Sequence, residues 1–442
     1  MEQTEIRRVE RMVDRELRAR FPAGSVRRVT LLGPGDDDRV GPDELLVRVV
    51  IEPSAPGEDR QRSLDEWARS HMQRMKQVRR ELSFRLPEAR LLEFTAAEDA
   101  GAAAITMPDD PAATAEPLSA REIVTIALQT LRTSYVFPER AEQAAAAVEA
   151  RLAAGEYDGL DEAALAERLT EHLNDVCEDK HLRVRTLPPR AARRRAPVPD
   201  RPERPRPEPG RPGHPGNYGI HRVDRLAGNV GYLDLHGVAH PDEESGPAIA
   251  AAMRLVSGTY ALIIDLRRNH GGSPHGVAFW CSYLFGGADT RLTDIFVAES
   301  GETRQFWTLA WVPGPRYLDR PVYVLTSHET FSGGEDLCYS LQAQGRAEVI
   351  GETTGGGAHP TRPIPISATM VIGVPFARSV NALTGTNWQG TGVMPDVAVP
   401  AAEAYDVAYG KALRHVLSAD VPPPVADEAR EALAGLPAAA RG

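Results

Sequence analysis

Lysine is almost missing from this chain: of 51 basic residues only Lys76, Lys180 and Lys411 are lysines, and the rest are arginines. Chemistry that needs a side-chain amine is confined to those three places. Cysteine is scarce as well. Cys177, Cys281 and Cys338 are odd in number and far apart, which argues against a disulfide framework or a thiolate zinc site and leaves reduced core thiols. No run of about 18 apolar residues exists to span a bilayer, so no membrane partner is expected. Residues 1–20 hold no uninterrupted apolar stretch, so no secretory leader is expected and the expected location is cytoplasmic. Positive charge is the last deficit. Net charge is −11, and because residues 187–216 carry a local +5, subtraction leaves −16 on the remainder. An acidic body disfavours nucleic acid as a main partner, since that binding rests on neutralising phosphates.

What is present is a globular composition, 42% hydrophobic and 26% charged over 442 residues, long enough for two or three domains. Residues 1–98 form a small α/β module of unknown role. Helical spacing covers 4–21, strands at 25–32 and 44–52 flank a turn-rich 33–38, a capping box at Ser63-Leu-Asp-Glu66 opens a helix, and a strand covers 89–94. Residues 99–116, rich in Ala, Pro and Asp, read as a linker. Residues 117–186 form a small helical domain: Ser119-Ala-Arg-Glu122 caps the first of three helices with short connections, and an alternating segment closes it. Residues 187–216 hold ten of the 36 prolines and eight arginines, a composition that cannot build a core and reads as an extended spacer. From 217 to 420 strands and helices alternate. Val230–Leu235, Tyr260–Leu266, Val322–Leu325 and Glu348–Ile350 are apolar runs separated by helical stretches, which predicts a mostly parallel sheet covered by helices. Residues 421–442 are left as a C-terminal tail.

The chemistry concentrates where the run Val322–Leu325 ends. Thr330-Phe-Ser-Gly-Gly-Glu335 places Ser332 at the start of a helix carrying Leu337 and Leu341 at helical spacing. There the backbone N–H groups and the dipole favour developing negative charge. Ser332 with Glu335 is also a capping box, which opens many helices that do no chemistry.

Seven segments in order carry a resemblance. They are Asp179-Lys-His181-Leu-Arg-Val184, Asn217-Tyr-Gly-Ile220, Asn229-Val-Gly-Tyr-Leu-Asp-Leu235, Asp265-Leu-Arg-Arg-Asn-His-Gly-Gly272, Thr330–Glu335, Gly351-Glu-Thr-Thr-Gly-Gly-Gly-Ala-His-Pro360 and Asn387-Trp-Gln-Gly-Thr-Gly-Val-Met-Pro-Asp396. Over residues 117–415 the chain resembles the superfamily of C-terminal-processing proteases, tricorn core proteases and interphotoreceptor retinoid-binding protein, the last branch above all. The resemblance implies an α/β fold: a crotonase-like ββα serine peptidase core, preceded by a small helical bundle, with residues 1–98 as an extra N-terminal α/β module. It implies serine-dependent peptide hydrolysis on peptide or protein substrates, and no cofactor or metal is expected. Ser332 matches the nucleophile and His181 the base. Gly271 or Gly272 matches the oxyanion-hole glycine, with Gly333 N–H as second donor. Such a site needs a group to take and return the serine proton and N–H donors aimed at the oxyanion, and neutral histidine titrates near the working pH.

Two departures matter. Processing proteases pair serine with a lysine about 25 positions further on, but here that neighbourhood is Gly355–His359, and no lysine lies between Lys180 and Lys411. Histidine is left as the base. Gln389 stands where the tricorn-like and retinoid-binding branches carry glutamate. It accepts a hydrogen bond but cannot neutralise an imidazolium, so the expectation is that it slows catalysis. Asp179 and Glu335 are the nearest candidate carboxylates. His359, after the triple glycine, is a candidate substrate contact, as are His270 and His328. His236-x-x-x-His240 lies after a strand with no carboxylate motif beside it, so no metal site is expected. Phe306, Trp307, Trp311 and Tyr317 either line a cleft or build core. The rival reading is a weak or inactive homologue that binds an apolar ligand or peptide. Oligomeric state leaves no sign in the sequence.

Overall fold

The computed structural model describes residues 118–187 and 216–441 continuously. N-terminal to these it describes 26–32, 45–51, 89–95, 104–108 and eight further positions between 13 and 78. The basic Pro-rich spacer lies outside the described residues except at its ends. Contacts divide the chain into two units: Met1–Cys177 with Leu182–Glu208 and Arg362–Val374, and Glu178–His181 with Pro209–Thr361 and Pro375–Gly442.

In the first unit a four-stranded sheet runs in the order β1 (Val26–Leu32), β2 (Leu45–Ile51), β3 (Ala89–Thr95), β4 (Ala104–Pro108). β1 and β2 pair antiparallel, as the hairpin reading requires, whereas β2 and β3 pair parallel. A parallel pair needs a crossover. Met75 and Val78 are helical positions within that crossover, buried in one cluster with Val47, Val49, Leu92 and Phe94. β4 falls in the stretch expected to be a linker. It pairs antiparallel with β3, and its Ala-Ile-Thr-Met-Pro alternation is a short strand pattern masked by Ala- and Pro-rich flanks.

Three helices follow, α1 (Ala120–Ser134), α2 (Pro138–Ala153) and α3 (Glu162–Cys177), each burying one apolar face. The predicted cap opens α1: Glu122 N–H donates to Ser119 Oγ, and Ser119 N–H to Glu122 Oε2. Strand β5 (Arg183–Thr186) closes the segment.

The second unit is built on β6 (Ile220–Leu226), β7 (Val230–Leu235), α4 (Ser245–Val256), β8 (Ala261–Asp265), α5 (Pro274–Ser282), β9 (Arg291–Val297), β10 (Glu302–Trp307), β11 (Val322–Thr326), α6 (Gly333–Ala343) and β12 (Glu348–Gly351). β13 (Thr361–Pro365) and β14 (Met370–Pro375) mostly belong to the first unit, and β14 pairs with β5 there. The second unit resumes with β15 (Ala377–Asn381), β16 (Val397–Ala398), α7 (Ala401–Ser418), α8 (Pro423–Gly435) and α9 (Ala438–Arg441). Its main sheet has the order β16-β12-β11-β8-β7-β6 and is parallel except for the β6–β7 pair. Every residue of β7, β8 and β11 is buried, because both faces are covered. Leu233, Leu262, Ile264 and Val324 face a cluster with α4, α5 and α6. The alternate residues Tyr232, Ile263 and Leu325 face Ala404, Ala408 and Leu413 of α7. The expected tail is a correction: Pro423 and Pro424 begin α8, which buries Ala429 in the α7 cluster. No described helix is long and apolar enough to cross a membrane.

Candidate active site

The turn from β11 into α6 holds Ser332 in an unusual backbone conformation, φ +55° and ψ −121°. A non-glycine residue with positive φ is strained and persists only where its surroundings over-determine it. Three hydrogen bonds strap the turn to the neighbouring loop after β8: Ser327 Oγ to Arg267 O at 2.5 Å, Thr330 Oγ1 to Leu266 O at 2.8 Å, and Phe331 N–H to Asn269 O at 2.9 Å. Ser332 N–H donates to Glu335 Oε2 at 2.8 Å, so the capping contact and the exposed-nucleophile geometry occur together. Glu335 is buried and also accepts from Thr354 Oγ1 and from the N–H groups of Gly356 and Gly357. Burial raises its pKa, and these donors pull it back. Its oxygens serve the 354–357 loop, so it is not the partner of a histidine in this arrangement.

The glycine pair lies directly against the serine. A methyl carbon placed on Gly271 would stand 2.7 Å from Ser332 Cβ and 2.9 Å from Gly333 N, and one on Gly272 would stand 1.9 Å from Val238 O. Neither position tolerates a side chain. Gly271 N–H donates to Asn269 Oδ1 at 2.9 Å, and the N of Gly272 lies 2.8 Å from where a Gly333 Cβ would be. Asn269 is fully buried and held in turn by its Nδ2 bond to Leu235 O.

His181 belongs to the second unit, with Glu178, Asp179 and Lys180. Its ring packs on Phe331, the residue before Ser332, at 4.6 Å between centroids. Gly357 fits only as glycine here, because a Cβ would come within 2.7 Å of His181 Cε1 and 2.3 Å of the Phe331 ring. Asp179 is 1% exposed. Its Oδ1 accepts the His181 backbone N–H at 3.1 Å and lies 3.9 Å from His181 Nδ1, while Oδ2 meets His359 Nδ1 at 2.6 Å. His359, expected as a substrate contact, is buried and paired with that carboxylate. Gln389 uses both ends of its amide. Its Oε1 accepts from Ala358 N–H at 2.8 Å, and its Nε2 donates to Glu178 O at 3.4 Å.

The other sequence candidates scatter. His270 and His328 are exposed, and His328 pairs with Glu352. His236 and His240 do not share a site: His240 Nδ1 meets Ser273 Oγ at 3.2 Å, and His236 stacks on His221. Tyr317 is core, whereas Trp311 is 73% exposed and borders an open apolar groove of about 640 Å³ with Phe279, Leu309 and Pro313.

Residues 229–399 match the model of peptidase family S41, and residues 118–214 match the N-terminal domain of peptidase S41 in eukaryotic IRBP. The chain belongs to the S41 peptidase superfamily. Among solved structures it is similar to the photosystem II D1 C-terminal processing protease, at 16% identity and TM-score 0.43, covering 70% of this chain and 100% of that one. It is similar to a putative peptidase from Parabacteroides merdae, at 17% identity and TM-score 0.43, covering 64% and 90%. The tricorn protease gives 12% identity and TM-score 0.41, and although 74% of this chain is covered, only 37% of that much longer one is. The mixed α/β architecture and the N-terminal module agree with the fold expected of an S41 peptidase core.

Proposed function

We propose that this S41 chain is a serine peptidase that hydrolyses peptide bonds in peptides or unfolded protein segments. Ser332 Oγ attacks the scissile carbonyl, and His181 takes its proton and returns it to the leaving amine. The N–H groups of Gly272 and Gly333 bind the oxyanion, with the α6 N-terminus adding its positive end. Gly271 is set aside as a donor because its N–H is given to Asn269. The observation that carries the reading is the strained Ser332 packed against the Gly271-Gly272 backbone, with the His181 ring on the adjacent Phe331.

Asp179 supplies the negative charge that the resemblance assigned to the Gln389 position. At 3.9 Å from His181 Nδ1 it is too far for a hydrogen bond but close enough to stabilise an imidazolium through a buried, weakly screened path. Gln389 is instead a brace for the 356–359 segment. A glutamate there would keep the bond from Ala358 but would set a carboxylate oxygen against the Glu178 carbonyl. On this reading the glutamine does not slow catalysis.

A fluorophosphonate probe tests the assignment. The parent is expected to be labelled at Ser332, and Ser332→Ala is expected not to be. A folded parent that takes no label would favour the noncatalytic binder, for which the open groove beside Trp311 is the place to look.

A further inference from the structure

The β6–β7 pairing brings together three metal-ligating side chains that the proposed chemistry does not use. His221 lies in the irregular register between Ile220 and Arg222, Asp234 lies near the end of β7, and His236 follows it. One ligand atom from each falls within 4.8 Å of the others. Asp234 is 2% exposed. Its Oδ2 accepts from the Arg268 guanidinium at 2.7 Å, while its Oδ1 lies 3.2 Å from His236 Nε2. Asp234 Oδ1 and His236 Nε2 are buried and face each other at ion-pair distance, and among the described residues neither has a partner at hydrogen-bond geometry. Buried polar atoms of this kind are uncommon in folded proteins and call for an explanation.

We propose that His221, Asp234 and His236 form a binding site for a first-row divalent transition metal of the zinc class. Two imidazole nitrogens and one carboxylate oxygen suit Zn²⁺ or Co²⁺ and suit Mg²⁺ or Ca²⁺ poorly. The 3.2 Å between Asp234 Oδ1 and His236 Nε2 is close to the edge of a tetrahedron about an ion with bonds of about 2.0–2.1 Å. Arg268 occupies the other carboxylate oxygen and so fixes which one faces the ion. Its positive charge opposes the ion, and the Asp234 carboxylate lies between the two. His221 now stacks on His236, rings 10° from parallel at 4.3 Å. Coordination requires the His221 ring to turn edge-on, which its exposed position permits. Sequence spacing paired His236 with His240, but the strand pairing gives His236 different partners. The site is coupled to the candidate oxyanion loop, because His270 N–H donates to His236 O and Val238 bridges Gly272.

Calorimetric titration of untagged, EDTA-treated, buffer-exchanged full-length chain with ZnCl₂ tests this, together with the visible absorption of the Co²⁺ form. A single equivalent should bind, Co²⁺ should show the intense bands of a low-coordinate site, and His221→Ala should weaken binding by at least about tenfold. Because His221 is exposed, that variant is expected to fold. His415→Ala should bind like the parent. No saturable zinc binding, or His221→Ala binding as tightly as the parent, would overturn the proposal. The second result would place any zinc elsewhere, the Asp179–His359 pair included.

Discussion

Asp179 turns its two carboxylate oxygens toward two different imidazoles, His359 at 2.6 Å and His181 at 3.9 Å, while almost fully shielded from water. A buried carboxylate so placed stabilises positive charge on either ring, so its loss should reach catalysis through electrostatics more than through shape. Asp179→Asn is predicted to lower kcat/KM by about ten- to a hundredfold. That is less than the roughly 10⁴ known for an acid hydrogen-bonded directly to a catalytic histidine, because the His181 contact is through space. Unchanged kinetics in a folded Asp179→Asn would remove it from the account. Gln389 tests the same point from the other side. Gln389→Glu should leave the rate unchanged or lower it, and a gain of about tenfold or more would mean that the site does lack a carboxylate there.

Helix α6 carries both Ser332 at its mouth and a fully buried acid, Asp336, in its first turn. Burial pushes the Asp336 carboxyl up to about 6, against the pull of Thr293 and Ser340 hydroxyls. Between the ordinary carboxylate range and that value the folded chain holds a proton that the unfolded chain has released, so stability falls as pH rises through this window. Asp336→Asn removes that dependence. Relative to the variant, the parent should lose up to roughly 3 kcal/mol between about pH 4 and about pH 7, read from urea midpoints. Parallel pH profiles for the two would refute it. A second prediction concerns α8: truncation after Asp420 uncovers the Leu413 and Gly228 contacts of Ala429 and should lower the melting temperature by several degrees. An unchanged melting point would show that the helix contributes nothing. Elements legible in the sequence were those whose pattern is local. β7, β8 and β11 are uninterrupted apolar runs, and α1 announces itself by its cap. β10 is mostly exposed and β13 contains two prolines, so neither shows the alternation of a half-buried strand. α8 is rich in alanine and lacks a stripe of large apolar residues. At the site, Ser332, His181 and the glycines could be picked out because short motifs hold them. The Asp179–His359 pair spans 180 positions, and the His221–Asp234–His236 group depends on strand register, which no local pattern reveals.

At the scale of the molecule, the residues proposed for catalysis come from five separated stretches, at 178–181, 269–272, 331–335, 354–359 and 387–390. All five fall in the second unit, although in sequence His181 follows closely on the last helix of the bundle. Glu335, Gln389, Trp388 and Lys180 all bond the 355–358 segment, which makes that glycine-rich loop a common wall to which side chains from three separate stretches are tied. If this wall serves peptide hydrolysis, the whole chain should cut unfolded protein and should do so through Ser332. The most direct measurement is the rate at which new termini appear in an unfolded substrate protein, followed by mass spectrometry, for the parent and for Ser332→Ala. The account predicts cleavage by the parent and a loss of at least about a thousandfold in the variant. Equal rates from the two chains, or no cleavage by a folded parent across a varied set of unfolded substrates, would contradict it.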